Sequence, residues 1–153
     1  MSNQYITVLP NAAIPMRSSA APNEKTAPRR EWSSAELAGP ALRTYFRIAE
    51  AWKLSSDEAR RILGDPPRST FFLWKKRGDG QLSRDTLERV SYVLGIYKAL
   101  QILLPEKEAA DSWLRRPNAA PLFGGKPALD RMLSGNVADL YVVRQYLDAQ
   151  RGG

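Results

Sequence analysis

From Ala38 to Leu147 the apolar residues of this chain recur three and four positions apart, and proline or glycine marks the places where that rhythm lapses. Such a period paints one stripe of a helix apolar; a half-buried strand would alternate instead. The first stretch puts Ala38, Ala41, Leu42, Tyr45, Phe46, Ala49 and Trp52 on one face. Ser33 or Ser34 stands where an N-cap belongs, with Glu31 and Glu36 near the positive end of the helix dipole. Pro40 falls early, where a helix tolerates it best. A second helix opens on the capping box Ser55–Glu58, buries Ala59, Ile62 and Leu63, and stops at Gly64. Asp65-Pro66-Pro67 makes a turn. Arg68 to Arg77 follows as a third short helix, with Phe71 and Trp74 on one side and Gly78-Asp79-Gly80 as its stop.

A fourth, longer helix starts at Ser83 and runs to Pro105. Its apolar positions are Leu87, Val90, Val93, Leu94, Ile96, Tyr97, Leu100, Leu103 and Leu104. That surface is wider than one packing face needs, so the helix is either central in the core or shared with a second copy of the chain. In the second case Val93, Ile96, Tyr97 and Leu100 form the dimer seam. Beyond it, Glu106 to Arg116 is amphipathic through Ala109, Ala110, Trp113 and Leu114, and Pro121 to Pro127 is an apolar loop around Gly124-Gly125. Ala128 to Ser134 is a short helix, and Val137 to Gln150 is the last, with Leu140, Val143 and Leu147 on one side.

The fold class expected is therefore all-α. Residues 34–104 form a helix-turn-helix and dimerisation core, and residues 105–153 form a small helical C-terminal domain. Residues 1–33 read differently. Pro10, Pro15, Pro22 and Pro28 interrupt a stretch with too little apolar content to offset its ordering entropy. It is expected to be a disordered or partly ordered tail, with Tyr5 to Leu9 as a possible short strand.

The chain has no cysteine and no histidine. That removes thiol nucleophiles, His general bases, disulfides and Cys/His zinc sites. Asp57, Glu58 and Asp65 sit near caps and turns, which explains them without catalysis. No enzyme activity, no cofactor and no metal are expected. No apolar run approaches the roughly 20 residues of a spanning helix, and nothing resembles a signal peptide, so a cytoplasmic protein without a membrane partner is expected. Lys and Arg number 23 against 16 Asp and Glu, a net charge of +7 that favours an anionic partner.

The local charge says more than the total. Arg68 to Arg77 contains Arg68, Lys75, Lys76 and Arg77 and no acid. Two helices joined by a turn, the second basic, have the layout that lays a recognition helix in the major groove of DNA. Arg68 suits the two acceptors of guanine. Ser69 and Thr70 reach phosphate or base edges, and Phe72, with Leu73, faces away from Phe71 and Trp74 toward thymine methyl groups. Lys75, Lys76 and Arg77 suit phosphates. The competing reading is a pair of bundle helices whose basic end merely complements the helix dipole.

Leu54-Ser55-x-x-Glu58-Ala59-x-x-Ile62-Leu63-Gly64, Arg68-Ser69-Thr70-Phe71-Phe72-x-Trp74-Lys75 and Leu82-Ser83-Arg84-Asp85-Thr86-Leu87-Glu88-Arg89 resemble the Xre/MbcA/ParS-type antitoxins. Trp113-Leu114-Arg115-Arg116-Pro117-Asn118, Pro121-Leu122-Phe123-Gly124-Gly125, Leu133-Ser134-Gly135 and Val143-Arg144-x-Tyr146-Leu147-Asp148 resemble that family's C-terminal toxin-binding domain. The resemblance covers about residues 40–151. It implies an antitoxin that neutralises a cognate RES-domain toxin, an enzyme that consumes NAD or uses it for ADP-ribosylation. It also implies repression of the antitoxin's own operon by binding operator DNA. A homodimer through the long helix, within a higher-order toxin–antitoxin complex, is expected because helix-turn-helix proteins commonly read two half-sites one turn apart.

Several residues then become candidates for the toxin interface. Leu122 and Phe123 either fold back on their own core or dock into the partner. Arg131 and Arg144 either pair with toxin carboxylates or remain solvated charges. Tyr146, Leu147 and Gln150 are placed on the rim of the toxin's NAD pocket and Arg151 at its entrance, with Gly152-Gly153 as a thin end that threads inside. The alternative for those last residues is a frayed terminus. The competing function is a stand-alone helix-turn-helix regulator whose C-terminal domain dimerises or binds a small ligand.

Overall fold

Ser33 caps the first helix reciprocally. Its hydroxyl accepts from the Glu36 N–H at 3.2 Å, and the Glu36 carboxylate accepts from the Ser33 N–H at 2.9 Å. The computed structural model describes residues 33–152. The expectations for 5–9, for the remainder of the tail before Ser33 and for Gly153 lie outside the described residues. Helix α1 spans Ser34–Ala51 and carries Pro40 early, as the sequence expects. Ser55 and Glu58 repeat the reciprocal cap at α2, Ser56–Ile62. Helix α3 is Arg68–Arg77 and ends on Gly78 at φ 65°, a left-handed conformation that glycine adopts without steric cost. Ser83 caps α4, Arg84–Leu103, by accepting from the Thr86 N–H at 3.1 Å.

Two of the C-terminal helices are shorter than the periodicity suggests. Helix α5 covers only Lys107–Ser112, and Trp113–Arg115 tightens into a 3-10 turn. Pro117 disfavours helical backbone at Arg116, so the chain turns extended there. Helix α6 is Ala128–Met132, and Gly135 at φ 89° turns the chain toward α7, Val137–Gln150.

Helix α4 is the centre of the fold. It packs against α1 on one side and against α7 and α5 on others. Val93, Ile96 and Leu100 have no exposed surface, and Tyr97 is half-buried with its ring 6.2 Å from that of Trp52. Val93, Ile96 and Leu100 are thus core. Placed in a dimer seam by the sequence reading, these three are spent on the core of one chain, while Ile102 of the same helix is 52% exposed. Each of the three buried side chains contributes about 1.5–3 kcal/mol by leaving water. The crossing with α7 is close because α4 has Gly95 there. A Cβ at that position would stand 2.6 Å from the Arg144 guanidinium.

Three arginines fasten the C-terminal helices to the rest. Arg115 donates to the carbonyls of Trp52 at 3.3 Å and Lys53 at 2.7 Å, and to Glu58 at 2.9 Å. It thereby caps the end of α1 and holds the start of α2. Arg61 donates to the carbonyls of Leu133 and Ser134, and Arg89 to that of Gly135. Leu133 and Ser134 leave the expected helix, and their carbonyls are met by Arg61 instead of by a further turn. Between α1 and α2, the buried Tyr45 hydroxyl donates to the Ala59 carbonyl at 2.5 Å, and burial pushes that phenol far above its ordinary pKa.

Candidate nucleic-acid and partner interfaces

Helix α3 lies on the surface with its two faces divided as the sequence expects. Phe71 and Trp74 are buried, while Phe72 and Leu73 are 45% and 43% exposed. Large apolar side chains held that open beside a cationic cluster form a contact surface in waiting. Ser69 is exposed and Thr70 half-buried. Lys75, Lys76 and Arg77 are exposed, and none has a carboxylate partner among the described residues. The turn before α3 is fixed by Gly64 at φ 94° and Asp65 at φ 55°, with Arg61 paired to Asp65 and Arg60 donating to the Pro66 carbonyl at 3.1 Å. A turn that is pinned at both ends presents α3 at a set angle.

Arg68 is not free. Its Nη2 donates to Asp57 Oδ1 at 2.6 Å, from the first turn of α3 to the first turn of α2. Sequence reasoning treated Asp57 as a cap-region acid. Periodicity within one helix gives no signal for this pair, because it spans two helices.

The C-terminal motifs form one closed loop. Asn118 is buried, and its Oδ1 accepts from the Ala120 N–H at 2.9 Å. Its own N–H donates to the Lys126 carbonyl at 3.2 Å, and its carbonyl accepts from the Gly125 N–H at 2.9 Å. Gly124 and Gly125, at φ 59° and 86°, make the reversal that brings the strands of this loop together. Arg116-Pro117-Asn118 and Leu122-Phe123-Gly124-Gly125 are thus the two sides of a single turn.

Phe123 takes the inward of its two readings. It is buried, with its ring edge-on to Trp113 at 6.0 Å and Tyr146 at 5.2 Å, while Tyr146 stacks on Trp113 at 6.3 Å. Leu147 has no exposed surface. Both side chains hold the domain together, so their expected docking roles are corrected. Leu122 and Tyr146 are half-buried and keep part of their surface outside. Arg131 donates to Asp139 at 2.8 Å and to the Leu122 carbonyl at 2.9 Å, which steadies the loop from below. Arg144 lies 3.6 Å from Asp148 on its own helix, and Arg151 lies 3.9 Å from the same carboxylate. Gln150 and Arg151 are partly accessible, and Gly152 is exposed at φ 90°.

The structure adds a surface that sequence reasoning missed. Tyr141 on α7 is 45% exposed, meets the Tyr92 ring of α4 edge-on at 5.6 Å, and accepts from the Gln145 side chain at 2.5 Å. The sequence lacks a signal for it, because tyrosines on two different helices become neighbours only when those helices cross.

A helix-turn-helix with an outward basic helix is thus fastened to a second helical unit. Residues 31–95 match the antitoxin Xre-like helix-turn-helix domain, and residues 99–153 match the antitoxin Xre/MbcA/ParS C-terminal toxin-binding domain. The chain belongs to the Xre/MbcA/ParS antitoxin family and is an antitoxin that carries a helix-turn-helix. It is also 58% identical over 112 residues to the uncharacterized protein y4oB of Sinorhizobium fredii, a match that covers 73% of this chain and 84% of that relative. Among the described residues no helix is long and apolar enough to cross a membrane.

Proposed function

We propose that this antitoxin neutralises a RES-domain toxin that consumes NAD or ADP-ribosylates a target, and that it represses its own operon through α3. It acts in the cytoplasm without catalysing a reaction, as a homodimer that builds a larger complex with the toxin. Its two working parts are residues 34–104 for DNA and 105–153 for the toxin. The carrying observation is the toxin-binding match over 99–153 together with the way α7 ends, on an accessible Arg151 and an exposed Gly152. A segment without bulky side chains suits a narrow pocket. A pocket for NAD must hold a diphosphate, commonly with Arg or Lys. Leu122, Tyr146 and Gln150 supply surface for the rim. The dimer contact uses surfaces other than Val93, Ile96 and Leu100.

Co-expression with the adjacent gene product tests this reading directly. Copurification and rescue of growth are expected, and deletion of residues 150–153 should abolish rescue while leaving the fold intact. Full protection by the deletion variant, and equally by one with a bulky extension after Gly153, would move inhibition to the domain surface.

A further inference from the structure

Beside the recognition helix, α1, the α1–α2 loop and α3 enclose an open groove of about 750 Å³. Four cations line it: Arg43 and Arg47 from α1, Lys53 from the loop and Lys75 from α3. The acid among its lining residues is Glu50. Arg43 donates to the Gly78 carbonyl at 3.1 Å, so it braces the end of α3. Arg47, Lys53 and Lys75 are exposed and have no carboxylate partner among the described residues. Like charges gathered on three different elements repel one another and cost stability unless an anion is shared between them. A helix-packing role explains none of the three, since all are exposed.

We propose that this groove is a second DNA contact, a seat for the phosphate backbone that flanks the bases read by α3. The inference rests on the DNA-binding reading above and extends it to a surface on α1. Two arguments favour a duplex backbone over a small anion. The groove is open, and its cations come from three elements, α1, the α1–α2 loop and α3. Lys75 joins it to Lys76 and Arg77 of α3, which have no carboxylate partner among the described residues, so the positive surface is continuous with the one that faces the bases. Contacts of this kind position a protein on DNA without reading sequence, and each releases condensed counterions, which makes binding steeply salt-dependent.

The test uses the full chain with Arg47→Glu and Lys53→Glu combined, and fluorescence anisotropy on a promoter duplex and a scrambled duplex between about 50 and 200 mM salt. Affinity should fall about equally on both duplexes, roughly tenfold or more, and the slope of log affinity against log salt should become shallower by about 2, near 0.9 for each lost phosphate. The promoter-to-scrambled ratio should survive. Arg68→Ala should do the opposite and lower that ratio. A double variant with the parent's affinity and slope, beside an Arg68→Ala variant that has lost discrimination, overturns the groove and leaves the DNA-binding reading intact. A parent that binds both duplexes alike overturns operator recognition, and the slope then still decides the groove. A parent that binds neither overturns both. Should the double charge reversal unfold, Arg47→Gln with Lys53→Gln asks the same question of the slope. Loss of toxin copurification with an unchanged salt slope would assign the groove to the protein partner and overturn the proposal.

Discussion

Asp57 and Arg68 stand eleven residues apart in the chain, yet their side chains meet at 2.6 Å across the turn that joins α2 to α3. Both are largely exposed, 73% and 65%. Such a pair contributes about 0–1 kcal/mol to stability, so its interest is orientation. A carboxylate near a phosphate backbone weakens binding in general, but this one fixes where the guanidinium points. Asp57→Asn should therefore raise affinity for scrambled duplex and lower the promoter-to-scrambled ratio. Competitive titration of the two duplexes checks it, and a ratio equal to the parent's would show that Arg68 is aimed by something else.

Ile96→Glu or Leu100→Glu should unfold the chain and not simply dissociate it. Both positions are fully buried, and an unpaired carboxylate there costs several kcal/mol. Thermal melts followed by circular dichroism, with sedimentation on the same samples, separate the outcomes. A folded monomer would restore the seam to α4.

Glu58 gives a pH dependence with a definite sign. Burial alone would raise its pKa, but hydrogen bonds from Arg115 and from the Ser55 backbone outweigh it, and the carboxyl titrates below its ordinary value. A group depressed in the folded state stabilises fully above its unfolded pKa and loses that contribution as pH falls through the folded one. Stability should fall on acidification below the usual carboxylate range. Glu58→Gln should cost about 1–2 kcal/mol at neutral pH and flatten part of the acid limb. Denaturant melts at stepped pH measure both. An unchanged acid limb would mean that Arg115 holds the two units together through the Trp52 and Lys53 carbonyls alone.

Asn118→Ala should loosen the 118–126 loop. It removes the acceptor of the buried Ala120 N–H and leaves that donor unpaired, at a cost of about 1–3 kcal/mol. Hydrogen exchange should rise at Ala120 and across the loop before it rises in α4. Uniform acceleration throughout would mean that the loop and the core open together.

Helix positions and caps were legible because their causes are local. Ser33 with Glu36, Ser55 with Glu58, and Ser83 each act within one turn, and α3 and α7 have the expected bounds. The outward side of α3 was legible for the same reason. What could not be read depends on helices crossing. The inward turn of Phe123 follows from loop closure at Asn118 and from Trp113 and Tyr146, which lie far off in sequence. Arg115 looks like a surface charge until the end of α1 is beside it. The width of α4 fitted a core or a seam, and the packing of α1, α5 and α7 around it is what buries Val93, Ile96 and Leu100.

Helix α4, at 20 residues, is a rod of about 30 Å that α1 and α7 both lean on. A duplex seated at α3 and a protein seated at α7 would each be registered against that same rod, so neither could swing independently of the other. The bearing of the bound protein around the DNA axis would then be set by the antitoxin, and the number of base pairs between neighbouring sites would decide whether adjacent cargoes face each other, collide or point apart. Operator spacing would thereby act as a gauge that admits one size and arrangement of assembly and refuses the rest.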